Sequence, residues 1–247
     1  AHAAGWSWPV VLDAGDVVPA HGHDETALHE PHNRVTAAVT ALLDGGLFPI
    51  GIGGGHDLTF PLVRAATAKS KTPLSGLYFD AHLDVRETVG SGMAFRRLIE
   101  DCGVRELRVH GLNPMANAAE HVEWFRDHRG TICPGDIDPL VKEDDLAPIP
   151  GSTYGDPRSV FPKGDCFASF DLDVLDASAA PGVSAINPAG WTVAKSENWV
   201  FACGRNPRVK CFDIMELNPA FDEGGRTARA AAHLFLQFLR GFAERRT

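Results

Sequence analysis

Basic residues are outnumbered in this chain, with 23 Lys and Arg against 32 Asp and Glu and a formal net charge of −9. That balance argues against the positive surface on which nucleic-acid or anionic-membrane binding depends. Cysteine is scarce: the five residues Cys102, Cys133, Cys166, Cys203 and Cys211 are odd in number, widely spaced and without a C-x-x-C pair. They exclude a thiolate zinc module and a disulfide framework, and predict reduced thiols. No run approaches the roughly 20 apolar residues of a membrane span, and no secretory leader is recognisable. These absences together predict a cytoplasmic protein. The glycines at 51–55 are not followed by the Lys and Ser or Thr of a phosphate loop, nor do they form G-x-G-x-x-G with a later acidic residue. No linker or shift in composition divides the 247 residues, so one domain over 1–247 is expected, with hydrophobic content of 44% ample for a core.

What the chain does have is one design used three times. The apolar run Leu77-Tyr78-Phe79 ends in Asp80, His82 and Asp84; Ile50-Gly51-Ile52 leads through glycines to His56 and Asp57; Cys166 to Phe170 ends in Asp171 and Asp173. Alternate residues of an extended strand share a face, so D-x-H-x-D is expected to aim three ligands one way. The set is two imidazoles and four carboxylates, a chemistry that suits Mn²⁺ or a neighbouring divalent ion. Six ligands exceed what one catalytic ion with an open position takes. They suit two ions roughly 3.5–4 Å apart that share carboxylates and hold a nucleophilic water.

At these residues the chain resembles the ureohydrolases, the family of arginase, agmatinase and formimidoylglutamase. Gly53 to Asp57 looks like the family's first metal motif, Asp80 to Asp84 like its second and Ser169 to Asp176 like its third. The likeness continues through Ala180 to Val183 and Asp213 to Pro219, in the family's order. Ser91-Gly92, Phe95-Arg96, Asp222 and Gly225 to Arg229 are most similar to the formimidoylglutamase branch. The resemblance implies a three-layer α/β/α fold and a binuclear manganese hydrolase acting on a C–N bond of an amidine. Its implied substrate is N-formimidoyl-L-glutamate, placing the protein in histidine degradation, and its implied assembly is a trimer or hexamer. One ion would be held by His56, Asp80, Asp84 and Asp171, the other by His82, Asp80, Asp171 and Asp173. Asp84 and Glu216 are implied in catalysis, with Glu216 also facing the cationic end of the substrate. Rival readings are a guanidino hydrolase that releases urea, a deacetylase on a related architecture, and a metal-binding relative without activity.

Three departures from the family pattern stand out. No His occurs between His82 and His110, where arginases and agmatinases carry one for proton transfer. Ala177 stands where relatives have Pro, and the resemblance implies that part of the family's N-terminal region, a strand and a helix, is lacking.

Elsewhere, apolar spacing predicts helices over 26–43, 58–68, 95–101, 116–128, 139–146, 194–204 and 227–240, with strands over 48–52, 107–111 and 209–214. Strands alternating with helices, and ligands after strand ends, predict a mainly parallel sheet covered on both faces. His21, His23, His29 and His32 are expected in a solvated loop, and Tyr154 and Arg158 are pocket candidates. Arg96 is expected to bind a substrate carboxylate through its guanidinium, whereas Arg97 is expected on a solvated face. A small-molecule substrate is the expected partner.

Overall fold

A computed structural model describes residues 7–19, 25–133 and 160–245. The expected helix at 139–146, Tyr154, Arg158, His21 and His23 lie outside the described residues.

Six strands form one parallel sheet: β1 (Ile50–Ile52), β2 (Ser75–Phe79), β3 (Leu107–His110), β4 (Gly130–Ile132), β5 (Cys166–Asp171) and β6 (Val209–Met215), in the order β1-β6-β5-β2-β3-β4. The central strands β2 and β5 are buried throughout, which is why both read as continuous apolar runs rather than alternating ones. Alternate residues feed two separate cores. On one face Leu77, Phe79, Phe170, Phe212 and Ile214 pack with Trp199 and Phe238 of α5 (Val193–Arg205) and α6 (Arg226–Ala243). On the other, Tyr78, Phe167, Val109 and Cys211 pack with Phe60 and Val63 of α2 (Thr59–Lys69) and with Phe95 and Leu98 of α3 (Ala94–Cys102). The three layers arise from this alternation. Helix α1 (Glu25–Asp44) lies against α2, and α4 (Ala119–Asp127) precedes β4.

The α6 stripe packs as its spacing predicts, with Ala231, Leu234 and Phe238 buried and Phe235 partly buried. Strand β4 has no counterpart in the sequence reading, because three residues are too short to carry a period. His32 corrects another expectation: it belongs to α1 and is 3% exposed, its Nε2 lying 2.7 Å from Asp57 Oδ2. A buried carboxylate partner turns what reads as a solvated His into an interior one. Among the described residues no helix is long and apolar enough to cross a membrane.

Candidate metal centre

Four neighbouring strands, β1, β6, β5 and β2, end at the same rim of the sheet, and each delivers acidic or imidazole side chains there. After β1 the glycine loop turns into a 3-10 segment beginning at His56, which is fully buried. Only glycine fits at 53, since a Cβ there would stand 2.4 Å from Met215 Sδ. His56 Nδ1 lies 3.1 Å from Asp80 Oδ2, 3.0 Å from Asp84 Oδ2 and 2.9 Å from Asp171 Oδ2. His82 Nδ1 lies 3.1 Å from Asp173 Oδ2 and 3.4 Å from Asp80 Oδ1. The six residues thus fall into two groups, His56 with Asp80, Asp84 and Asp171, and Asp80 with His82 and Asp173. Asp80 is common to both. Asp171 joins the first group alone; its Oδ1 accepts the Asp173 N–H at 2.7 Å.

The convergence does not come from strand alternation, as expected for D-x-H-x-D. Strand β2 stops at Phe79, and the motif lies in a loop closed by a hydrogen bond from His82 N–H to Asp80 Oδ1 at 2.6 Å. Tyr78 Oη donates to Leu83 O, Leu83 N–H donates to Asn117 Oδ1, and Asp84 adopts a left-handed backbone with φ 50°. Asp171 and Asp173 repeat the device across a 3-10 turn. A short Asp side chain that caps its own loop is well suited to such turns.

His56 Nδ1, Asp80 Oδ2 and Asp173 Oδ1 are buried without a hydrogen-bond partner. One imidazole nitrogen cannot serve three carboxylates as a donor, and buried polar atoms are otherwise nearly always paired. Imidazole with carboxylate therefore fits a pair of divalent cations. Electrostatics agree. Burial, then the charges of Asp84 and Asp173, push Asp80 up to about 7. Burial, then Asp173 and Asp80, raise Asp171 well above the usual carboxylate range. Hydrogen bonds to Asp173 and Asp80 raise His82 to about 11. Burial would depress His56, but Asp171, Asp80 and Asp84 lift it well above the ordinary value.

A supporting chain lies behind His56. Its Nε2 is 2.9 Å from Ser169 Oγ, which donates to Asp213 Oδ1 at 2.5 Å. Ser169 and Asp213 are register partners on β5 and β6, a pairing the sequence does not disclose. Such partners orient a metal-ligating imidazole and fix its tautomer. Glu216 follows β6 at φ 68° and is 7% exposed. Its Oε1 accepts the His56 N–H at 2.7 Å and its Oε2 accepts Ser184 Oγ–H at 2.6 Å.

Arg96 sits differently from expectation. Its Nε and Nη2 donate to Glu100 and Glu87 at 3.0 and 2.8 Å, and the guanidinium lies 4.7 Å over Trp124. Arg97 pairs with Asp101 on the exposed face of α3. His110 is fully buried against Trp199, with burial holding it down to about 3, so it stays neutral and does not replace the missing loop histidine as a proton donor.

A three-layer parallel α/β fold with a carboxylate-rich, paired-ligand centre at the strand C-terminal rim defines the class of binuclear-site proteins. The chain belongs to the arginase family, whose model matches residues 3–240. It is 33% identical to the formimidoylglutamase of Aromatoleum aromaticum over 96% of this chain and 72% of that protein. It is 26% identical to the agmatinase of Bacillus subtilis, over 94% and 76% of the two chains. The crystal structure of Trypanosoma cruzi formiminoglutamase with Mn²⁺ matches with a TM-score of 0.80 and 30% identity, covering 95% of this chain and 76% of that one.

Proposed function

We propose that the protein hydrolyses N-formimidoyl-L-glutamate to L-glutamate and formamide at a centre of two Mn²⁺ ions. The observation that carries the reading is the pair of ligand groups joined through Asp80. The manganese-bearing formiminoglutamase structure and the formimidoylglutamase relatives support it. His56, Asp80, Asp84 and Asp171 would hold one ion, and His82, Asp80 and Asp173 the other; Asp171 would complete the second set as a further bridge. Bound there, the ions supply a water of lowered pKa as nucleophile.

Glu216 orients the planar amidinium. With both oxygens fixed by His56 N–H and Ser184 O–H, the carboxylate is positioned before substrate arrives. Asp84 takes the proton released on attack and passes it to the departing nitrogen. The amidine carbon gains oxygen and leaves as formamide, and the C–N bond to glutamate breaks. The reading extends to a single catalytic domain in the cytoplasm, serving histidine degradation as a homo-oligomer, for which the five free cysteines are at least compatible.

The test offers formimidoylglutamate, arginine, agmatine and guanidinobutyrate in parallel to the Mn²⁺-loaded protein, with formamide and urea recorded separately. Formamide from the first substrate alone is expected. Urea from any other would move the protein to the guanidino branch, and no product from any would leave a silent metal-binding relative.

A further inference from the structure

We propose that Arg86 recognises a carboxylate of the substrate, so that the centre selects amidines that carry one; this rests on the reading of the chain as an amidine hydrolase. Arg86 lies two residues beyond Asp84. Its N–H donates to Gly92 O at 2.8 Å, and Phe95 N–H donates to Asp84 O at 3.1 Å, so the intervening loop is tied at both ends. The Arg86 stem runs across Gly92, where a Cβ would come within 2.9 Å of Cδ and 3.1 Å of Nε. Gly92 is buried beneath it, while Arg86 itself is exposed.

The same turn packs against the His56 loop. A Cβ on Gly55 would stand 3.6 Å from Ser91 Cβ, and the Phe95 ring meets the His56 ring edge-on at 5.1 Å. Arg86 is therefore held on the segment that covers the centre, on its solvent side. No carboxylate or carbonyl among the described residues engages its guanidinium. The neighbouring arginines are engaged: Arg96 by Glu87 and Glu100, Arg97 by Asp101. An anionic substrate approaching four ligand carboxylates and Glu216 meets repulsion that an unengaged cation at the entrance offsets. The planar fork of an arginine suits a carboxylate bidentately. The role first expected of Arg96 thus passes to a residue ten positions earlier.

The experiment compares wild type, Arg86→Ala, Arg86→Lys and Gly92→Ala, all full-length and loaded with Mn²⁺. Steady-state kinetics are taken on formimidoylglutamate and on N-butylformamidine, which has no carboxylate, and calorimetry measures binding of glutamate. In Arg86→Ala the preference for formimidoylglutamate, as the ratio of the two kcat/KM values, is expected to fall about 10- to 100-fold, mainly through KM. Glutamate binding weakens by a similar factor, and two Mn²⁺ per chain are retained. Gly92→Ala, which displaces the Arg86 stem, gives a smaller shift of the same kind, and Arg86→Lys recovers part of the preference. Equal losses on both substrates, loss of Mn²⁺, or unchanged glutamate binding in Arg86→Ala would overturn the proposal. A wild type that binds glutamate through Arg86 yet makes no formamide would remove the proposed function and leave the assignment of Arg86 standing.

Discussion

Single side chains at this centre carry more than one duty. Glu216 fixes the His56 backbone and Ser184 together, and Asp80 closes its own loop while belonging to both ligand groups. Asp173 has a simpler place, opposite His82 and in one group only. Asp173→Ala is expected to bind one Mn²⁺ per chain instead of two and to lose nearly all turnover, read by metal analysis alongside the formamide assay; normal turnover would remove the two-ion mechanism. At this scale the sequence is informative about which residues gather and uninformative about their neighbours. Each of the six ligands follows a recognisable apolar run, so their convergence is legible. Ser169 and Asp213 are not, because their contact depends on the register of β5 on β6. Arg96 and Arg86 are indistinguishable as letters; only the positions of Glu87, Glu100 and Trp124 separate an engaged guanidinium from a free one. A basic residue two places beyond D-x-H-x-D was nevertheless there to be noticed.

Helices α5 and α6 show how an element is placed by what it omits. A Cβ on Gly204 would lie 2.1 Å from Phe238 O, and one on Gly241 would lie 2.1 Å from Phe201 O, so each helix backbone presses into a gap left by the other. This close crossing sets Trp199 and Phe238 over β5 and β6, whose ends hold Asp171, Asp173 and Glu216. Gly204→Ala must separate or bend the pair and is expected to cost about 1–3 kcal/mol in urea unfolding, the usual penalty of overpacking. Glycine in a helix otherwise gains stability on change to Ala, so a neutral or stabilising result would refute the tight crossing. Element types are largely readable here because parallel strands buried on both faces are long apolar runs and the covering helices keep a 3.6-residue period. What escapes is shorter or tertiary in origin, such as β4, or the loop geometry of Asp80 to Asp84, where a left-handed residue replaces the expected strand.

Across the whole molecule, protonation of the centre couples to stability and to metal uptake. His82, at about 11 when folded against 6.5 for an ordinary His, binds its proton more tightly in the folded chain. Its contribution is complete below about 6.5 and is lost as pH rises toward 11. Protein stripped with EDTA is therefore expected to melt at lower temperature at pH 9 than at pH 7, whereas replacing His82 with Asn removes that difference. Manganese competes for the same groups: Asp80 at about 7 and the raised His56, Asp171 and His82 retain protons near neutrality that the ions must displace. Uptake should release protons, seen as a dependence of calorimetric heat on buffer ionisation, and apparent affinity should fall as pH is lowered. The ligands also lie far apart along the chain, at the ends of β1, β2 and β5, while all five cysteines remain free. Ions held there would act as a crosslink, closing long loops that no covalent bridge closes and removing freedom mainly from the unfolded chain. That staple sits on one rim of the sheet, so in the loaded protein the first opening, followed by amide hydrogen exchange, should occur at the other rim, where β3 and β4 begin.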